Sequence, residues 1–130
     1  MYKAAIKTKK QKPLSVLVVE DEPAAREASC RYLSLQGCDV SAASTAAEAK
    51  DEADRHRPDV VVCDWHLGDG PTGSELARDL QLRLGAIPFI FVSAHPTDEV
   101  RLSSDGVKRT MFLRKPVSLA ALYQHIVAAV

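Results

Sequence analysis

Apolar and polar positions along the chain follow two alternating rhythms from residue 14 onward. Leu14-Ser15-Val16-Leu17-Val18-Val19 is a short, nearly continuous apolar run that stops at Glu20-Asp21-Glu22. A run of that length bounded by polar residues reads as a strand buried on both faces. Pro23 suits the first turn of a helix, where its missing N–H costs nothing. That helix extends to about Gln36, with Ala24, Ala28, Tyr32 and Leu35 roughly on one face, and Gly37 stops it. A weaker strand follows at 38–42. Thr45-Ala46-Ala47-Glu48 has capping-box spacing and opens a second helix ending near Arg57-Pro58. The third strand, 59–63, runs through Val60-Val61-Val62-Cys63 into Asp64, and Trp65-His66-Leu67-Gly68-Asp69-Gly70 follows at once. Thr72-Gly73-Ser74-Glu75 is a second capping box, starting a helix with Leu76, Leu80 and Leu84 that Gly85 closes. Residues 87–92 form a fourth strand, with Pro88 near its start where it does least harm. Ser93-Ala94-His95-Pro96 is the loop beyond it. A helix of poor periodicity spans 97–104, and Asp105-Gly106 breaks it. A fifth strand over 110–113 ends at Arg114-Lys115-Pro116. Ser118 caps a last helix whose Leu119, Leu122, Ile126 and Val127 face inward.

Strand and helix therefore alternate five times. Right-handed crossovers then build one parallel sheet with helices on both faces. The expected architecture is a single-domain α/β fold: a flavodoxin-like, doubly wound, five-stranded parallel sheet of order 2-1-3-4-5 with five helices. The chain contains neither G-x-x-x-x-G-K-S/T nor a G-x-G-x-x-G after the first strand, which disfavours both standard kinds of nucleotide binding. Flavin is disfavoured too, because acids stand after strand one where a phosphate would need amides.

Composition narrows the picture further. Apolar residues make up 46% of the 130, enough for a core and against disorder of the whole. No apolar run approaches the roughly 20 residues of a membrane helix, and no signal-peptide pattern opens the chain. Cys30, Cys38 and Cys63 lack C-x-x-C spacing, which argues for a reducing, cytoplasmic setting and against a disulfide framework or zinc site. The formal charge is zero but uneven. Lys3, Lys7, Lys9, Lys10 and Lys12 account for five of the 17 basic residues, leaving 12 against 17 acidic ones in the remainder, a net of −5. Residues 1–12 thus read as a basic, flexible extension and 13–130 as the folded domain.

The chemistry lies just after the central strands. Glu20 and Asp21 follow the first, Asp64 the third, Ser93 the fourth and Lys115 the fifth. In the expected strand order these groups converge on one crevice, the edge where open α/β sheets bind ligands. Three carboxylates packed together repel one another and are driven toward protonation, a penalty that a hard divalent cation such as Mg²⁺ removes. Lys115 adds a point charge and Ser93 a hydrogen bond, which together with a metal suit the oxygens of a phosphoryl group in transfer. Asp64 is the carboxylate left free to attack.

These residues also carry a resemblance. With Val-Val-Glu-Asp-Glu at 18–22, Val-Val-Cys-Asp-Trp at 61–65, Ser93-Ala94 and Lys115-Pro116, the sequence resembles the receiver domain of bacterial two-component response regulators, from about Pro13 to the end. The resemblance implies a phosphorylation-controlled signalling module of a phosphorelay. A histidine kinase or histidine phosphotransfer protein would donate the phosphoryl group to Asp64. Asp21 would bind Mg²⁺ directly, Glu20 mostly through water, and the backbone carbonyl of His66 would be a further ligand. Ser93 would be the switch hydroxyl, Lys115 the phosphate-binding lysine, and Phe112 the aromatic switch. The Lys115–Pro116 bond is usually cis in the family. Phosphorylation would repack the face made by the fourth predicted helix, the fifth strand and the last helix, for a downstream protein target. The implied partners do not include DNA or a membrane, and the implied catalysis is limited to the domain's own phosphorylation and dephosphorylation.

Plainer roles stand beside these. Glu20 and Asp21 also suit a helix N-terminus, Ser93 a turn and Lys115 a solvated surface. His66 and His95 occupy loop positions that in this family influence how long the phosphoryl group survives. A metal reading for them with Cys63 fails, because Cys63 should point into the core. Trp65 is expected beside the site, and Phe112 equally suits an ordinary core. Arg101, Lys108, Arg109 and Arg114 make a cationic face suited to a homodimer or an acidic partner. Two alternatives remain: a Mg²⁺-dependent aspartyl-phosphate phosphatase, although the D-x-D pattern would need an acid where His66 stands, and a pseudo-receiver scaffold without chemistry.

Overall fold

The computed structural model describes residues 12–68, 70–95, 97–98 and 106–130. In chain order they form β1 (Ser15–Val19), α1 (Pro23–Leu35), β2 (Asp39–Ala43), α2 (Ala46–Arg55) and β3 (Val60–Asp64). Then come α3 (Gly73–Leu84), β4 (Phe89–Ser93), β5 (Thr110–Arg114) and α4 (Leu119–Ala129). All strands pair in parallel, in the order β2-β1-β3-β4-β5. The doubly wound sheet is as expected, with four helices among the described residues rather than five. The expected helix over 97–104 lies outside the described residues apart from 97–98, as does the basic extension apart from Lys12.

Successive strand side chains point to opposite faces, and here both faces are covered. Leu17, Val19, Val61, Cys63, Phe89 and Phe91 pack against Ala46, Ala49 and Ala53 of α2 and Leu76, Ala77 and Leu80 of α3. Val16, Val18, Val60, Val62 and Ile90 pack against Leu33 of α1 and Leu122 and Ile126 of α4. Cys63 lies in the core as expected. This double coverage explains why β1 and β3 read as unbroken apolar runs.

Several expectations shift once packing is resolved. Leu33 is the buried anchor of α1, while Ala24 and Ala28 are exposed and Leu35 is 78% exposed. Alanines add little apolar area, so the stripe through them could not set the phase of the helix against the larger leucine. In α4, Leu122 and Ile126 form the seam one turn apart, and Val127 falls to the side, 48% exposed. Both β3 and β4 run one residue further than their apolar runs. Asp64 and Ser93 close the strands instead of opening the loops, because the backbone ladder continues under polar side chains.

Helix ends explain which acids remain available. The Glu22 carboxylate caps α1, accepting the N–H groups of Ala25 at 2.7 Å and Ala24 at 3.3 Å. Glu20 and Asp21 are thereby left out of the cap. Thr72 and Glu75 form the reciprocal capping box at α3. At α2, Thr45 accepts from the Glu48 N–H, but the Glu48 carboxylate turns to the N–H and hydroxyl of Ser44. Ser118 caps α4 through the Ala121 N–H.

The start of α3 is pressed against the end of β3. Gly73 donates its N–H to the Trp65 carbonyl at 2.8 Å. A Cβ there would stand 2.9 Å from the Asp64 carbonyl oxygen and 3.1 Å from the Phe91 ring. Gly73→Ala is therefore expected to destabilise the fold by about 1–3 kcal/mol, the usual range for overpacking. Chemical denaturation would measure it, and a neutral result would mean that α3 can retreat without cost.

Candidate functional site

The parallel register brings every strand's carboxyl end to one edge. Val19 lies level with Cys63, Asp64 with Val92, and Ser93 with Arg114. Each candidate side chain sits at or one or two residues beyond these positions. Glu20 continues the β1 ladder, its N–H donating to Ala43, while Arg26 donates to the Glu20 carbonyl. The Glu20 carboxylate accepts the Glu22 N–H at 3.1 Å, which folds the acidic turn toward the crevice.

Glu20, Asp21 and Asp64 each present an oxygen, and these oxygens lie within 4.8 Å of one another. Lys115 reaches the same place from beyond β5, its Nζ 3.3 Å from Asp64 Oδ1. Asp64 is buried, while Lys115 keeps much of its side chain in solvent. The Glu20 carboxyl is pushed up from 4.5 to about 7. Burial is the largest cause, followed by a hydrogen bond shared with Asp64, and Lys115 acts in the opposite direction. Three hard oxygen donors, one of which gives up its proton reluctantly, fit a divalent cation and no soft metal. Gly68, at φ 65°, brings the β3–α3 loop over this cluster, where a Cβ would stand 3.8 Å from Asp21 Oδ2.

On the far side, the Ser93 hydroxyl does not stand free. It donates to Asp98 Oδ2 at 2.5 Å and accepts the His95 N–H at 3.0 Å. His66 Nε2 lies 3.1 Å from the same Asp98 oxygen, and the His95 ring meets the His66 ring edge-on at 5.4 Å. The His66 imidazole is therefore directed to Asp98, while its backbone lies in the loop directly after Asp64. Asp98 is 4% exposed. Sequence reasoning missed it, because an acid early in a weakly periodic helix has no distinguishing signal. Among the described residues, the strands thus bring together Glu20, Asp21, Asp64 and Lys115, while Ser93 and His66 share a carboxylate of their own.

Trp65 is 1% exposed, in the core on the α2–α3 side, with its ring edge-on to Phe91 at 5.5 Å and Phe112 at 6.3 Å. Strand alternation places it opposite to Asp64, so it is a core residue and not part of the crevice wall. Phe112 is half-buried against that same core. Of the expected cationic face, Arg101 lies outside the described residues, and Arg109 is committed to the carbonyls of Ala86 and Ala129. The Lys115–Pro116 bond is cis.

Residues 16–127 match the family model of the response regulator receiver domain. The chain is 32% identical over 117 residues to the transcriptional regulatory protein GlrR of Escherichia coli K12, covering 88% of this chain and 26% of GlrR. The non-phosphorylated HemR receiver domain of Leptospira biflexa superposes with a TM-score of 0.76 at 27% identity, over 91% of this chain and 94% of that one. The chemotaxis response regulator CheY4 of Vibrio cholerae shares the fold, with a TM-score of 0.81 at 22% identity, over 92% of this chain and all of that one. The curated relatives are longer, and the match spans between 26% and 47% of their length. The acidic crevice at the carboxyl edge of a 2-1-3-4-5 sheet and the match over most of the chain agree: this protein belongs to the response regulator receiver family of two-component signalling.

Proposed function

We propose that the domain is a phosphoacceptor whose Asp64 takes a phosphoryl group from a histidine kinase or a histidine phosphotransfer protein. One observation above all supports this reading: Asp64 stands between the carboxylates of Glu20 and Asp21 and the ammonium of Lys115, 3.3 Å away, at the open edge of the sheet. An Asp64 carboxylate oxygen attacks phosphorus, an O–P bond forms, and the P–N bond to the donor histidine breaks with its electron pair going to the imidazole. Lys115 neutralises charge on the phosphoryl oxygens. A Mg²⁺ ion held by Glu20, Asp21 and Asp64, with the His66 carbonyl as a further ligand, would supply the remaining positive charge. An open cleft of about 660 Å³, lined by Ala25, Ala28 and Ser29 of α1 and by Val117 and Leu119, leads to Asp64 and gives the donor access.

The phosphoryl group then leaves to water, so the domain catalyses only its own modification. In this reading His66 and His95, in the loops after β3 and β4, shield the acyl phosphate or admit water to it, and so set its lifetime. Output passes through protein contacts: Ser93 moves toward the phosphoryl group, Phe112 follows, and the surface of β5 and α4 changes for a downstream protein or a second copy of the chain. The proposed partners are cytoplasmic proteins; no helix among the described residues is long and apolar enough to cross a membrane.

Intact mass after incubation with Mg²⁺ and acetyl phosphate tests the chemistry. One added phosphoryl group is expected on the wild type and none on Asp64→Asn or without Mg²⁺. An adduct that persists in Asp64→Asn would assign the modification elsewhere.

The crowding at Glu20 has a consequence for pH. Its folded-state pKa, about 7, exceeds the ordinary 4.5, so its contribution to stability is complete below 4.5 and is lost as pH rises through 7. Without metal, the thermal midpoint of the wild type relative to Glu20→Gln is expected to fall across that window. Mg²⁺ competes with the proton, so its affinity should weaken by roughly tenfold per pH unit well below 7. Melting curves and Mg²⁺ titrations at several pH values would check both trends, and a flat difference between the two proteins would remove Glu20 as their origin.

A further inference from the structure

A serine hydroxyl has one proton to donate. In this structure the Ser93 proton goes to Asp98 Oδ2 at 2.5 Å, and the oxygen accepts the His95 N–H at 3.0 Å. The receiving carboxylate is buried, at 4% exposure, and its oxygen also takes His66 Nε2 at 3.1 Å. The Asp98 N–H donates to the His95 carbonyl at 3.1 Å, so the carboxylate is anchored from its own backbone. The loops after β3 and β4 are thus joined through one buried oxygen.

Such a bond is strong for two reasons. It is charge-assisted, and its loss leaves a buried acceptor with one partner fewer. The Ser93 hydroxyl cannot donate to Asp98 and to a phosphoryl oxygen at the same time. We propose that Asp98 is an internal latch, a positioning residue that holds the Ser93 hydroxyl in the resting state and competes with the phosphoryl group for its single proton. This inference rests on the phosphoacceptor reading of Asp64. His66 has the complementary part: it keeps one hydrogen bond on Asp98 when Ser93 departs, so the carboxylate is never left bare. The latch biases a two-state element toward rest, and whatever weakens it raises the population ready to accept the phosphoryl group.

The test uses Mg²⁺ with beryllofluoride as a phosphoryl analogue and measures affinity by calorimetry. Asp98→Asn keeps the shape and removes the charge, and it is expected to tighten binding about tenfold, the effect of losing one charge-assisted hydrogen bond from the competing state. In a Ser93→Ala background the same substitution should change affinity by less than about twofold, because the latch then has nothing to hold. Unchanged or weaker binding by Asp98→Asn would overturn the latch. So would an equal gain in both backgrounds, which would mean that Asp98 acts on the loop and not through Ser93. A wild type that binds no beryllofluoride would bring down the phosphoacceptor reading, and the latch with it. Should Asp98→Asn fold poorly, the carboxyl ¹³C resonance of Asp98 provides the same decision: it should move on beryllofluoride binding in wild type and stay in Ser93→Ala. A resonance that stays fixed in wild type would refute release.

Discussion

The arrangement of this domain depends on holding negative charges closer than they would choose. Glu20, Asp21 and Asp64 place oxygens within 4.8 Å of one another, and among the described residues the cation paired with this cluster is Lys115, at Asp64. At that distance, two like charges near a protein surface repel by on the order of 3 kcal/mol. The protein offsets part of this by letting Glu20 hold a proton far above the ordinary carboxylate range, and part through the lysine. The remainder is a standing tendency to accept positive charge. A crevice of this kind suits a divalent cation and, in the proposed reading, a phosphoryl group whose charges the cation and the lysine would share.

That tension is sustained by what lies beneath it. β1 and β3 are covered on both faces by two separate apolar layers, so their ends do not yield when the acids repel. Glu22 takes over the capping of α1 and leaves Glu20 and Asp21 unspent. Gly73 lets α3 begin directly against the Asp64 carbonyl, which places the covering loop over the acids. Small residues and caps thus do as much to define the crevice as the residues that face it.

Two polar networks lie at the carboxyl edge of the sheet. One is the acidic cluster with Lys115; the other is the Ser93–Asp98–His66 chain, which ties the end of β4 to the loops beyond β3 and β4. Beneath them, Trp65 touches Phe112 and Phe91, so a movement of Phe112 would be felt in the centre of one core layer. A domain built this way can convert a local change of charge into repacking, because its packed aromatic rings have few intermediate arrangements.

The sheet, its strand order and the five groups at its edge were legible in the sequence. Short apolar runs ending in acids, a hydroxyl and a lysine leave few alternatives once strand and helix alternate. The sequence also pointed to Thr72 and Ser118 as caps, since capping depends on neighbours three residues apart. It could not phase α1 or place Val127, because alanine-rich or uniformly apolar helices are rotated by what they pack against. Trp65 reads as a site residue by adjacency, and only strand alternation sends it into the core. Asp98 had no local signal at all: its meaning comes from Ser93 and His66, five and 32 residues away, and contacts of that separation exist only after the loops are folded together.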